Sequence, residues 1–339
     1  MKHITRREAL LRMALAGATF SVLRKSMAAA EKASPAPKRN MEELRNALRG
    51  VHNFMITPFH ANYDLDAEGL RKNVAYHTKG STENMTIVAG GGLGELFTLD
   101  LDEHKALATA TVAGAQGKMP VVIGIGGGYR LALRMARTAE EAGADAVLAF
   151  APPYGSESAE GAYQYFRAIA SSVGIGVIVF PRFTEDYWAA VLKRLCELPN
   201  IIGFKDGSDG DKFIKALGPL VPDRLLWIAE GEGRAAQTLA IGARAFSSPV
   251  AAFVPNACRE FWKRGVSGNV AGMNEIMKAR IDPILKVRNV KPGYGISGLK
   301  VALEALGRAG GPMRPPGTQV MESDRAALGE IARKHAEIS

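Results

Sequence analysis

A (β/α)8 TIM barrel with a C-terminal helical addition is the fold this sequence predicts, and three observations point to it. Eight short runs rich in apolar and β-branched residues recur between residues 50 and 248. The stretches that separate them keep an apolar spacing near the helical period. Beyond residue 255 the short runs stop and only helical spacing continues. Runs that are apolar at nearly every position suit a parallel sheet covered on both faces. Eight such units in about 200 residues close a barrel more readily than they build a doubly wound sheet.

The runs follow one another as His52–Thr57, Met85–Ala89, Pro120–Ile125, Ala146–Phe150, Gly176–Phe180, Ile201–Phe204, Leu225–Ala229 and Ala243–Ser248. Each is four to six residues long, the length of a buried strand, and Gly, Pro, Asn or Asp punctuates most of their ends. Amphipathic stretches lie between them at Asp66–Thr78, Asp102–Ala115, Tyr129–Ala142, Ala159–Ser172 and Tyr187–Leu198. The barrel is therefore expected to occupy residues 50–254. Residues 255–339 supply its last helix and further helices at Asn256–Arg264, Asn269–Leu285, Gly293–Leu306 and Ser323–Ile338. The Gly- and Pro-rich stretch Arg308–Gly317 reads as a loop among them.

The formal charge of +9 suggests a nucleic-acid partner until it is located. Residues 1–40 hold nine Lys/Arg against two Asp/Glu, so +7 lies in the leader and only +2 in the remaining chain. No basic patch with interleaved aromatics follows, and no nucleic-acid partner is expected. The mean hydropathy of -0.02 and 47% hydrophobic residues fit a large globular core. Thr5-Arg6-Arg7-Glu8-Ala9-Leu10-Leu11-Arg12, the apolar segment Met13–Leu23 and Ala28-Ala29-Ala30 have the order of a twin-arginine signal with a cleavage site. Removal of residues 1–30 and delivery to the periplasm are expected, leaving no membrane anchor. Residues 31–49 then read as a linker and an N-terminal helix. Cys196 and Cys258 fall on segments that are not neighbours in the barrel, so both are expected to be unpaired and buried.

Chemistry in a barrel gathers where the strands end at the C-terminal face. The most informative such end is Ile201-Ile202-Gly203-Phe204-Lys205-Asp206-Gly207, which sets one lysine at the close of an apolar strand. Burial there disfavours the ammonium form, and a neutral amine in a pocket can attack a carbonyl carbon to form a Schiff base. Gly124-Ile125-Gly126-Gly127-Gly128 has the look of a nucleotide-binding glycine loop but lacks the acidic partner further on, so it reads as a turn of close backbone approach. His3, His52, His60, His77, His104 and His335 show no metal-ligand spacing, and neither a metal nor a cofactor is called for.

The residues at the strand ends resemble the dihydrodipicolinate synthase / N-acetylneuraminate lyase family over essentially all of residues 50–339. The matching marks are Thr57-Pro58-Phe59, Gly92-Leu93-Gly94-Glu95, Pro152-Pro153-Tyr154, Phe204-Lys205-Asp206 and the closing Arg314-Pro315-Pro316. Gly176-Val177-Ile178-Val179-Phe180-Pro181-Arg182, Gly203–Gly207 and Val287–Tyr294 are similar to the 5-dehydro-4-deoxyglucarate dehydratases within that family. The resemblance implies that Lys205 condenses with a 2-keto acid. It implies that N–H groups of Gly92 and Leu93 hold the substrate carboxylate, with Thr57, Glu95 and Ser247 lining the site. Arg182 either binds a distal carboxylate or pairs with a nearby acid. The resemblance also implies a tetramer or a dimer.

Two departures set this chain apart. The family tyrosine at the end of strand 5 is Phe180, and the family threonine two residues before the glutamate is Leu93. Neither can move a proton, and general acid–base catalysis contributes about 10²–10⁴-fold. Tyr154, Glu95, Ser247 or an ordered water are the replacements the sequence offers. Two readings follow: an exported class I lyase, aldolase or dehydratase, acting on a 2-keto acid or acidic sugar derivative, or a vestigial relative that only binds a carbonyl acid.

Overall fold

A computed structural model describes residues 40–152, 158–181, 187–207 and 224–337. Eight parallel strands close a barrel in chain order. They are β1 Gly50–Phe54, β2 Met85–Ala89, β3 Val121–Ile125, β4 Ala146–Phe150, β5 Gly176–Phe180, β6 Ile201–Lys205, β7 Leu226–Glu230 and β8 Ala245–Ser248. Closure runs through β8 and β1, with Gly50 opposite Ala245 and His52 opposite Ser247. The (β/α)8 class read from the runs is the class found. Three strands match the sequence reading residue for residue, and β6 reaches one residue further, to Lys205 itself.

Every residue of β1 to β6 and β8 is buried, which is why the runs carry no polar alternation. Beyond β1, Met55 keeps one bond to Val88 O, but the chain leaves the ladder before Thr57 and Pro58, where the sequence suggested strand. The short helix α1, Met41–Ala47, is capped by the Asn40 side chain, which accepts from the N–H groups of Glu42 and Glu43. It buries Leu44 beside the start of β5: a Cβ placed on Gly176 would lie 3.0 Å from Leu44 Cδ2. The helix therefore plugs the end of the barrel opposite the strand C-termini.

The outer helices are α2 Ala67–Tyr76, α3 Leu101–Ala115, α4 Tyr129–Glu141, α5 Ala159–Ser172, α6 Trp188–Leu195, α7 Gly231–Thr238 and α8 Pro255–Val266. Helix α3 starts with a capping box in which Asp100 and Glu103 satisfy each other's backbone N–H. The C-terminal addition comprises α9 Val270–Ile276, α10 Asp282–Asn289, α11 Tyr294–Ala305 and α12 Glu322–His335. The single helix expected at Asn269–Leu285 is interrupted by a π-helical turn at Met277–Ile281. Pro283 follows directly and has no N–H to continue the α ladder, and a π turn is one way to absorb that break.

The tail ties back to the barrel. Glu337 donates its N–H to Phe253 O at 2.8 Å, and its carboxylate accepts from the N–H groups of Asn256 and Ala257 at the start of α8. Both cysteines are free and buried, Cys196 at the end of α6 and Cys258 within α8. The expected signal at residues 1–30 and the linker up to residue 39 lie outside the described residues.

Gly124, the first residue of the glycine stretch, lies within β3 at a point of close backbone approach. A Cβ on Gly124 would lie 2.6 Å from the Gly90 carbonyl carbon and 3.0 Å from Gly91 N, with only backbone to yield. Gly124→Ala should lower stability by about 1–3 kcal/mol or more, the range for overpacked interiors. Urea denaturation measures this, and a midpoint equal to wild type would contradict the crowding.

Candidate active site

Period-two alternation along the strands decides which side chains face the barrel axis. Lys205 Nζ lies 4.1 Å from the centroid of the Phe180 ring. Phe180 meets Phe150 edge-on at 5.0 Å, and Phe150 meets Phe97 edge-on at 5.9 Å. A row of rings thus runs from Phe97, exposed at the lip, inward to the buried amine. The positive charge of an ammonium is favoured over the face of a ring, and edge-to-face rings stabilise one another.

On the other side of Lys205 from Phe180, on strand β7, stands Glu230. Its Oε1 is 2.9 Å from Lys205 Nζ, and the two side chains differ sharply in exposure, 4% for the lysine and 46% for the glutamate. Asp206 fixes this carboxylate from below. Its Oδ1 accepts from Glu230 N–H at 2.8 Å, and its Oδ2 accepts from the Trp227 indole N–H at 2.7 Å. Arg234 Nε approaches the same Oδ2 at 3.5 Å. Burial pushes the Asp206 carboxyl up, and the Trp227 and Glu230 donors and the Arg234 charge oppose that push. Ser247 on β8 completes the bracket: its hydroxyl accepts from Gly231 N–H at 3.1 Å and donates to Ala229 O at 3.3 Å. The Ser247 hydroxyl, expected to face substrate, is thereby engaged with the β7 end on which Glu230 sits.

His52 reaches the same interior from β1. Its Nε2 is 2.8 Å from Leu48 O. Burial first, then the Lys205 charge, lower its imidazole to about 4 against the pull of the Leu48 carbonyl. The ring is neutral at pH 7 and adds no second cation beside the amine.

The turn after β2 forms the opposite rim. Gly94 N–H and Leu96 N–H donate to Gly91 O, and Glu95 N–H donates to Gly92 O. The N–H groups of Gly92 and Leu93 make no hydrogen bond among the described residues. Gly92 faces open space, since a Cβ there would meet nothing within 4 Å. Thr57 holds this turn from the segment that follows β1, its hydroxyl donating to Gly94 O at 2.7 Å. Two successive free amides at a strand end can receive a carboxylate.

Glu95 is engaged with the C-terminal segment. Its carboxylate is buried and pairs with Lys300 Nζ of α11 at 2.7 Å, while its second oxygen accepts from Arg314 N–H at 3.0 Å. Lys300 Nζ also donates to Pro312 O and lies 4.4 Å from the Phe59 ring centroid. Arg314 also lies over the Phe59 ring, at 4.2 Å, and binds Glu103, Thr98 O and Tyr63 O. Glu95 and the closing Arg314-Pro315-Pro316 therefore belong to one clasp that pins the C-terminal segment to the rim. Glu95, expected from the sequence to line the substrate site, is engaged through both carboxylate oxygens in that clasp.

The structure brings Lys205, Phe180 and Ser247 to one wall and Thr57, Gly92 and Leu93 to the other rim. Tyr154 and Arg182 lie outside the described residues. Glu230 and Asp206 complete the amine's surroundings and were not singled out from the sequence as acid–base groups. Among the described residues no three His, Cys, Asp or Glu side chains gather where they could hold a metal ion.

The model of the dihydrodipicolinate synthetase family matches residues 47–335. A probable 5-dehydro-4-deoxyglucarate dehydratase of Rhizobium rhizogenes is 36% identical over 298 residues, 86% of this chain and 97% of the relative. One from Acidovorax ebreus is 32% identical over 299 residues, 86% of this chain and 98% of the relative. A dihydrodipicolinate synthase crystal structure from Bacillus anthracis superposes with a TM-score of 0.75 at 26% identity, covering 86% of this chain and 99% of that one. An N-acetylneuraminate lyase from Mycoplasma synoviae has a TM-score of 0.76 at 20% identity, covering 86% and 99%, and so shares the fold. The chain belongs to the dihydrodipicolinate synthetase family.

Behind the site, Glu232 in the first turn of α7 is buried and accepts from the Ser248 hydroxyl at 2.5 Å. Burial lifts its carboxyl from 4.5 to about 7; the Ser248 bond and Arg288 oppose the rise, and Asp282 adds to it. Between pH 4.5 and 7 the native state holds a proton that the unfolded chain has released, so this group's stabilisation is full below pH 4.5 and declines through that window. Glu232→Gln removes the titration and keeps an acceptor for Ser248. Relative to wild type, the variant should gain about 2–3 kcal/mol between pH 4 and pH 8 in urea denaturation. The imidazoles of His52 and His77, lowered to about 4 and about 3 chiefly by burial, act in the opposite sense: their stabilisation is present above pH 6.5 and lost as acid charges them. They are common to both proteins, so the difference isolates Glu232. A variant-minus-wild-type stability that is flat across this range would show that Glu232 is not held protonated.

Proposed function

From that family membership we propose that this protein is a Schiff-base-forming lyase acting on a small 2-keto acid or acidic sugar derivative. The observation that carries the reading is the Lys205 amine, buried at the end of β6 between an aromatic face and a carboxylate. Dehydration is favoured over retro-aldol cleavage because the relatives at 32% and 36% identity bear a dehydratase's name.

The unprotonated Lys205 amine adds to the substrate's C2 carbonyl, and loss of water leaves a protonated imine. That imine accepts the electron pair released when a neighbouring bond breaks, which turns an unstable carbanion into a neutral enamine. The Gly92 and Leu93 amides bind the C1 carboxylate and so aim C2 at the amine. Thr57 positions that turn through Gly94 O, and Ser247 positions the β7 end. Leu93 and Phe180 line the pocket with apolar surface and exclude water from the imine. Tyr154 remains one of the groups offered in place of the missing hydroxyls, and Arg182 either binds a distal carboxylate or pairs with a nearby acid. We also propose export by the twin-arginine route and assembly as a dimer or tetramer.

Borohydride reduction in the presence of pyruvate or a longer 2-keto acid should attach the acid to the tryptic peptide carrying Lys205. Lys205→Ala should abolish the adduct, and an adduct that persists on another lysine would reject the assignment. For export, protein from a periplasmic fraction should begin near Glu31. Replacing Arg6 and Arg7 by lysine should retain it in the cytoplasm, and delivery indifferent to that double change would refute the twin-arginine route.

A further inference from the structure

We propose that Glu230 is the proton-transfer residue of this site, supplying from strand β7 the acid–base function that Phe180 cannot supply from β5. The inference rests on the Schiff-base reading of Lys205 and deepens it.

Three observations converge on Glu230. Its Oε1 is 2.9 Å from Lys205 Nζ, within direct proton-transfer distance. Its side chain is 46% exposed while that of Lys205 is 4% exposed, so the carboxylate can exchange protons with water and relay them to the buried amine. Its placement is built: Asp206 holds the Glu230 N–H, Trp227 and Arg234 hold Asp206, and Ser247 braces the Gly231 N–H next in the chain. The other carboxylate the sequence offered for this work, Glu95, is buried against Lys300.

The chemistry balances without any further reagent. The Lys205 ammonium gives one proton to the Glu230 carboxylate, leaving a neutral amine and a carboxylic acid. The amine's electron pair forms a bond to C2, the C2–O π pair moves to oxygen, and the nitrogen's proton passes to that oxygen to give a carbinolamine. Glu230 then returns its proton to the carbinolamine hydroxyl, the C–O bond breaks, and water leaves. The products are a protonated imine and the Glu230 carboxylate beside it, so Glu230 is regenerated and its charge now faces the iminium.

A glutamate that only neutralised a buried ammonium would show the same 2.9 Å contact, so the test must read proton transfer and not adduct stability. The time course of borohydride-trapped pyruvate adduct on Lys205 is measured between pH 5 and pH 9 for wild type, Glu230→Gln, Glu230→Ala and Glu230→Asp. In wild type the rate should fall on the acid side. In Glu230→Gln it should drop about 10²-fold or more at neutral pH, as for loss of a general acid–base group, with adduct still accumulating at long times. Added formate should accelerate Glu230→Ala in proportion to its concentration, and Glu230→Asp should keep part of the wild-type rate. A Glu230→Gln variant that forms adduct at the wild-type rate overturns the inference while leaving Lys205 as the imine residue. Slow variants that formate does not accelerate and aspartate does not rescue overturn it in favour of a purely structural ion pair. A wild type that traps no adduct with any 2-keto acid defeats the Schiff-base reading itself, and the inference with it.

Discussion

Burying one primary amine at the end of a barrel strand is the constraint around which the mouth of this molecule is arranged. A lone ammonium in an apolar interior is prohibitively unstable, so Lys205 needs a partner for each protonation state. The Phe180 face and the Glu230 carboxylate favour the charged form, and the neutral His52 ring below adds no repulsion. Everything nearby serves to keep those groups in place. Trp227 and Arg234 hold Asp206, Asp206 holds the backbone of Glu230, and Ser247 clamps the following residue. A displaced β7 end would carry the Glu230 carboxylate away from the amine.

The barrel contains a second lysine–glutamate pair, and the contrast shows how exposure separates a structural pair from a reactive one. Lys300 and Glu95 are 1% and 3% exposed, 2.7 Å apart, and closed over by Phe59 and the Arg314 backbone. Neither can reach solvent, and removing either partner would strand a buried charge, a loss of about 3–5 kcal/mol. That pair is a clasp between the rim and the C-terminal segment. In the Lys205 pair one member is buried and the other half in water. The same charges thus become a route for protons instead of a rivet.

Much of the fold was legible because a parallel barrel writes itself as short, wholly apolar runs. Met85–Ala89, Ala146–Phe150 and Gly176–Phe180 have sharp edges because both faces of each strand are buried. The break in the helix beginning near Asn269 was hidden because a π turn keeps the apolar spacing almost unchanged. In the site, Lys205 stood out because a charged residue ending an apolar run is conspicuous. Glu230 did not: it belongs to Ala229-Glu230-Gly231-Glu232, where two acids two residues apart look alike, and only the barrel's curvature sets one against Lys205 and buries the other behind Ser248. The partner of Glu95 was hidden for a related reason, since Lys300 lies on a helix of the C-terminal addition and no local pattern links the two.

The exchange of a hydroxyl for a phenyl ring on β5 also has a directional consequence. Lys205 sits on β6, with Phe180 on the strand to one side and Glu230 on the strand to the other. An acid–base group on β5 would work on the side of the imine where the ring now lies. In the proposed mechanism Glu230 works from the opposite side, which requires the carbonyl oxygen to be turned toward β7 to leave as water. The Phe97–Phe150–Phe180 row meanwhile gives the β5 side an apolar wall that extends to the lip. An apolar wall holds water poorly, so it would protect the proposed imine from hydrolysis on that side, while the half-exposed carboxylate keeps the other side in contact with solvent. On the proposed reading, the absent tyrosine hydroxyl corresponds to a shift of proton traffic from one neighbour of β6 to the other, made possible by a carboxylate that β7 holds within reach of the amine.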